Sequence, residues 1–145
     1  MFCENRIFVS YVTAVINKYQ EDTIMAYNVA VLGASNNPER YSYKALVMLT
    51  EAGYPVFPVH PSEKLVNGIE CYNNLSSIKE PQDTITVYLS EKNSTPLIDD
   101  IISIHPRRVI LNPGAENEAL TKKCQEAGIQ VQEACTLVLI RTGQF

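Results

Sequence analysis

The sequence predicts an α/β fold, a three-layer sandwich on a parallel sheet of about five strands. Three observations carry this. Short apolar runs (NVAVLG, YPVFPV, TITVYL, RRVIL and IQVQEA) alternate with stretches of helical periodicity. Several of these runs are continuously apolar, as expected of strands buried on both faces. The connections are too long for hairpins and suit crossovers, which make neighbouring strands parallel and the turns right-handed.

The first strand, NVAVLG, ends in Gly33. Ser42 is placed to cap a helix running to Ala52, with Ala45, Leu46, Leu49 and Ala52 on one face and Gly53 ending it. YPVFPV is the second strand, with prolines suited to strand ends. A polar connection follows, in which Asn67-Gly68 marks a turn and residues 75–79 form one helical turn. TITVYL is the third strand. The next helix begins at Ser94 or Thr95, with Pro96 early and Leu97, Ile98, Ile101 and Ile102 inward. RRVIL is the fourth strand, ENEALTKKCQEAG a helix closed by Gly128, and IQVQEA the fifth strand. The tail CTLVLIRTGQF is apolar and packs on the sheet edge as helix or strand.

Residues 27–145 form one domain. Residues 1–26 read as an N-terminal extension: Phe8, Val12, Val15, Ile16 and Tyr19 fall at helical spacing, while Ile7, Val9 and Tyr11 alternate as in a strand. Asn17, Lys18 and the Gln20-Glu21-Asp22 run argue against a secretory signal. The compact domain begins near Met25.

The chain has 145 residues and a net charge of −4. That argues against a general binder of nucleic acid or anionic membrane, whose affinity rests on clustered cations. No apolar run approaches the roughly 20 residues of a membrane span. Cys3, Cys71, Cys124 and Cys135 form no C-x-x-C pair, and with His60 and His105 they show no metal-ligand spacing. Reduced, buried thiols in a cytoplasmic protein are expected.

In a sheet of this kind ligands bind beyond the carboxyl ends of the strands, where strand order reverses. The tips to search are residues 33–41, 60–64, 90–93 and 112–117. At the first tip Gly33, Ala34 and Ser35 are small, and a helix N-terminus follows with Arg40 and Lys44 beside it. Free amides, a positive dipole end and two cations suit phosphate. Only one of the three glycines of a G-x-G-x-x-G loop is present, so a plain capped turn is the competing account. The second strand ends in Val59-His60-Pro61, where an NAD site would place a carboxylate. A neutral or cationic group there tolerates a ribose phosphate, which NADP carries at the 2′ position and coenzyme A at the 3′ position.

The stretches VAVLGASNNPERYSYKAL, GYPVFPVHP, NGIECY, LNPGAEN and EACTLVL together resemble the small stand-alone CoA-binding proteins, similar to the CoA-binding domain of the succinyl-CoA synthetase alpha subunit. The resemblance covers residues 27–145. It implies a Rossmann-like fold with coenzyme A lying across the strand tips. By matching motif, Gly33, Ala34 and Ser35 would contact the pyrophosphate. Arg40, Ser42, Tyr43 and Lys44 would lie near phosphates at the helix start. Val59, His60 and Pro61 would border the adenosine half, and Leu89 and Ser90 the pantetheine. Lys64 stands three residues past Pro61, further than the matching lysine of the synthetase.

The remaining tips read as structural. Glu116 and Glu118 sit at a helix N-terminus, where carboxylates cap more often than they catalyse. Cys135 facing the ligand thiol is a lesser alternative to a buried thiol. No G-x-S-x-G elbow, P-loop or Cys–His pairing is visible. The leading expectation is a non-catalytic cytoplasmic module for CoA or an acyl-CoA, acting as carrier, sensor, homo-oligomer or partner subunit. An NADP-dependent reductase, and an interaction protein with a vestigial cleft, are the alternatives. Ligand binding separates the first two, and assembly size without nucleotide binding marks the third.

Overall fold

The computed structural model describes residues 27–145; the expected helix or strand within residues 1–26 lies outside them. The chain runs β1 (Val29–Leu32), α1 (Tyr41–Glu51), β2 (Val56–Val59), a small hairpin of β3 (Leu65–Val66) and β4 (Ile69–Glu70), then β5 (Thr84–Val87). It continues as α2 (Glu91–Ser94), α3 (Ile98–Ile104), β6 (Arg108–Leu111), α4 (Glu118–Glu126), β7 (Gln130–Glu133) and α5 (Thr136–Arg141). The main sheet has the order β2-β1-β5-β6-β7, and each neighbouring pair is parallel. Strand order reverses between β1 and β5. The expected Rossmann-like sandwich is therefore present.

The layers follow from side-chain alternation. Val29 and Val31 of β1 face one side with Leu46 and Leu49 of α1. Ala30 and Leu32 face the other with Ile101 of α3 and Leu120 of α4. All four β1 residues are buried, which is why the run is continuously apolar. We call the α1 side the front and the α3–α4 side the rear.

Five details differ from expectation. First, Ser42 does not cap α1. A turn closed by Arg40 N–H donating to the Asn37 carbonyl starts the helix two residues earlier, so Arg40 is the extended N-cap residue and Ser42 is buried in the first turn. Second, Ala52 is exposed, because it is already the C-cap; Gly53, at φ +91°, ends the helix as expected. Third, the helix after β5 begins at Glu91. Pro96 lacks the amide for a regular bond, and the chain tightens to a 3-10 turn over Thr95–Leu97 before α3 resumes. Fourth, the polar connection holds the β3–β4 hairpin, whose two-residue strands are too short to show periodicity. Asn67 and Gly68 both take positive φ, 49° and 77°, the requirement of its tight turn. Fifth, the tail is helix α5, packed against α1 on the front face rather than on the sheet edge.

Candidate functional site

Gly33 follows β1, and Tyr88 and Leu89 follow β5, so the two tips meet at the reversal point. A Cβ on Gly33 would stand 2.9 Å from Leu89 Cδ2 and 3.2 Å from the Tyr88 carbonyl carbon, and φ there is +87°. The contact forms a saddle between two lobes of one crevice.

The front lobe has a volume of about 420 Å³ and is lined by the loop residues Gly33, Ala34 and Ser35, by Arg40, Tyr41 and Ser42 at the start of α1, and by His60. Its far side is Tyr88, Leu89 and the turn of Pro113, Gly114 and Ala115. The rear lobe, of about 400 Å³, is lined by Val59, His60 and Pro61 after β2, and by Leu32, Gly33 and Leu89 at the saddle. Asn73, Asn74, Leu75, Asn93 and Leu97 close it.

The start of α1 carries the electrostatics. Among the described residues no side chain accepts a hydrogen bond from its first-turn amides, and no acidic residue sits in that turn. Those donors and the positive helix end open on the front lobe beside Arg40. The loop is less available than its smallness suggested. The amides of Gly33 and Ala34 both donate to the Val59 carbonyl at 3.1 Å. Ser35 Oγ accepts from the Asn37 amide at 3.1 Å.

At the β2 end His60 Nδ1 accepts from the amides of Ser62 (3.1 Å) and Glu63 (3.2 Å). An accepting Nδ1 puts the ring proton on Nε2 of the neutral ring. Tyr72 seals the outer edge of β2: its amide donates to the Pro58 carbonyl, and its carbonyl accepts from the His60 amide.

Beneath the front lobe lies a buried polar cluster. Asn112 Nδ2 donates to Thr86 Oγ1 (2.7 Å) and to the Val87 carbonyl (2.9 Å), while Asn112 Oδ1 accepts from the Thr136 amide at 2.8 Å. The Thr86 and Thr136 hydroxyls are 2.7 Å apart. The Tyr88 hydroxyl is buried beside them. Thr136 and Thr86 are near enough to pull its pKa down somewhat, but neither makes a well-formed hydrogen bond to it. Burial dominates and pushes the phenol up to about 12.

Of the expected site residues, Gly33, Ala34, Ser35, Arg40, Ser42, Val59, His60, Pro61 and Leu89 line the crevice. Tyr43, Lys44 and Ser90 do not. Tyr43 turns to the hairpin, where its hydroxyl donates to Asn67 Oδ1 at 3.1 Å. Lys44 Nζ lies 5.5 Å from the Tyr41 ring centroid. Ser90 is the exposed N-cap residue of α2. Lys64 lines neither lobe. Tyr41, Asn93 and Pro113 also line the crevice, each within an expected tip, and Tyr88 lines it from outside any of them. Asn117, not Glu116, caps α4, accepting from the Leu120 amide at 3.1 Å. Glu116 folds back, and its carboxylate accepts from the Gly114 amide at 2.9 Å. His105 ends α3 in the left-handed conformation (φ 53°). Cys71 and Cys124 are buried, burial pushes both thiols up, and half-buried Cys135 lines neither lobe. Among the described residues there is no cluster of metal-ligating side chains and no helix long and apolar enough to cross a membrane.

Solved structures share this frame. A crystal structure of an uncharacterized protein superposes with a TM-score of 0.78 at 35% identity, covering 82% of this chain and 98% of that one. The cell-free ID.343 protein of Thermus thermophilus gives a TM-score of 0.75 at 28% identity, covering 88% and 98%. The uncharacterized protein YneT of Bacillus subtilis (strain 168) is 24% identical over 100 residues, 69% of this chain and 74% of its own length. The sequence model of the CoA binding domain matches residues 27–141, from β1 through α5. A parallel sheet that reverses at Gly33, an uncapped helix start beside it and that match together make this chain a member of the CoA-binding domain family.

Proposed function

We propose that the protein binds coenzyme A, free or acylated, across the saddle between Gly33 and Leu89, as a non-catalytic cytoplasmic module. The single observation that carries this is the start of α1: first-turn amides without a side-chain cap, next to Arg40, in a crevice at the strand-order reversal. The diphosphate sits there, with Ser35 alongside. The adenosine half lies in the rear lobe against Val59, His60 and Pro61, and the pantetheine runs through the front lobe along Leu89 and Tyr88. His60 Nε2–H is the donor offered to the ribose phosphate. One feature supports a carrier or sensor over an enzyme: among the described residues no carboxylate lines either lobe.

Calorimetry with CoA, dephospho-CoA and NADPH tests this reading. We expect micromolar CoA binding and a several-fold weaker dephospho-CoA, since a charge-assisted hydrogen bond is worth about 1.5–3 kcal/mol before solvent screening. CoA binding no tighter than millimolar, or NADPH binding tighter than CoA, would remove it.

A further inference from the structure

The CoA reading leaves open what the thiol end of the cleft is built to hold, and the side chains there bear on that. This inference rests on that reading. With the diphosphate at the start of α1, the thiol end points along Leu89 toward the turn of residues 113–115. The apolar walls of the front lobe are Tyr41, Tyr88, Leu89, Pro113 and Ala115, which offer rings and methyl groups. Tyr41 is 69% exposed although it lines the cleft. Helix formation does not call for an aromatic residue at the first helical position. Its ring is steadied by Lys44 and presents an apolar surface that a ligand can cover.

An exposed charge that does not itself line the lobe stands beside the opposite wall. The Gly114 amide is a donor that could greet an anion, and it is already taken. The Glu116 carboxylate accepts from it through both oxygens, at 2.9 and 3.2 Å. A negative group thus stands directly behind residues that line the lobe. The cation that lines the lobe, Arg40, lies on the phosphate side with the uncapped amides. The lobe's 420 Å³ lies within the roughly 300–1,000 Å³ that ligand sites generally span, and it must take the pantetheine arm as well as any acyl group.

We infer that the front lobe takes a CoA thioester with a small, apolar, uncharged acyl group, which Tyr41 covers, and that Glu116 disfavours acyl groups ending in a carboxylate. The ligand class is then a neutral short-chain acyl-CoA. Tyr41 and Glu116 are the specificity residues, one by contact and one by field.

Butyryl-CoA and succinyl-CoA share a four-carbon acyl skeleton and differ in the terminal carboxylate, so they isolate the charge. Calorimetry would compare both with CoA on the full chain, Tyr41→Ala and Glu116→Gln. In the unsubstituted protein we expect butyryl-CoA to bind roughly three- to tenfold tighter than CoA, from buried methylenes, and succinyl-CoA to bind more weakly than butyryl-CoA. Glu116→Gln keeps an acceptor for the Gly114 amide. It should narrow the gap between succinyl-CoA and butyryl-CoA by about two- to fivefold, the size of a solvent-screened charge effect, with CoA unchanged. Tyr41→Ala should remove most of the butyryl advantage. Succinyl-CoA binding as tightly as butyryl-CoA overturns the inference, as does a Glu116→Gln shift equal for all three ligands. Either result with CoA still bound leaves the CoA reading standing, whereas absence of CoA binding removes both.

Discussion

Gly33 and Leu89 pack so closely that a single added carbon on Gly33 would lie 2.9 Å from Leu89 Cδ2. Gly33 also holds φ at +87°, a conformation that costs any other residue. Its glycine character therefore serves the junction of β1 and β5 as well as the ligand. Gly33→Ala should destabilise the fold by about 2–4 kcal/mol, from backbone strain plus overpacking. Adding Leu89→Ala should relieve the steric part and leave the strain. Urea unfolding of the two single variants and the double variant gives the coupling. Strict additivity would show that the two residues do not press on each other.

Arg40 and Lys44 looked equivalent as cations flanking a helix start, but they occupy different places. Arg40 lines the front lobe, and Lys44 lies over the Tyr41 ring outside it. Arg40→Gln should weaken CoA about tenfold, the loss of one charge-assisted contact to phosphate, and should flatten the dependence of affinity on salt. Lys44→Gln should change affinity by about twofold or less, as expected of an exposed charge. Equal losses from the two substitutions would mean that the phosphates sit further out along α1.

What the sequence reveals divides by the range of the physics involved. Strand and helix periodicity are local, so the sheet and its helices were legible; the strand order, and with it the reversal between β1 and β5, depends on which strands pair and was not. Side-chain direction at the start of α1 was not. Motif adjacency put Ser42, Tyr43 and Lys44 together, yet successive helical residues point about 100° apart, from 3.6 residues per turn. Ser42 faces the cleft while Tyr43 reaches Asn67 on the hairpin. The cap expected of Ser42 failed because a preceding turn at Asn37 set the helix start instead. Pro113, Gly114 and Ala115 join the site only through the pairing of β5 with β6. No spacing in one chain displays that contact.

Asn112 ties three elements together beneath the cleft. It donates to Thr86 and to the Val87 carbonyl of β5, accepts from the Thr136 amide of α5, and itself follows β6. It is 2% exposed, so each partner it loses is left without water. Asn112→Ala should cost about 2–4 kcal/mol. CoA affinity should fall with it, because Asn112 fixes the start of the turn that walls the front lobe. Thermal unfolding and CoA titration report the two effects separately. A drop under about 0.5 kcal/mol would show that the cluster is not a structural tie.

Tyr88 predicts how stability changes at high pH. Its phenol ordinarily titrates near 10, and burial pushes it up to about 12 in the fold. Below pH 10 both the folded and unfolded chains keep the proton, and the group adds no pH dependence. Between 10 and 12 the unfolded chain ionises while the folded chain stays neutral. The unfolded state then binds fewer protons, and stability falls as pH rises. The shift corresponds to about 2–3 kcal/mol lost across that window. Cys71 and Cys124, also raised by burial, act in the same direction from their ordinary value of 9.0. Tyr88→Phe removes the phenol and with it a buried hydroxyl that lacks a partner. The variant should match or exceed the parent by up to about 1 kcal/mol at pH 7 and lose less stability between pH 9 and 11. Urea midpoints at three pH values decide it: an unchanged alkaline slope in the variant would mean that the Tyr88 hydroxyl is solvated in the fold.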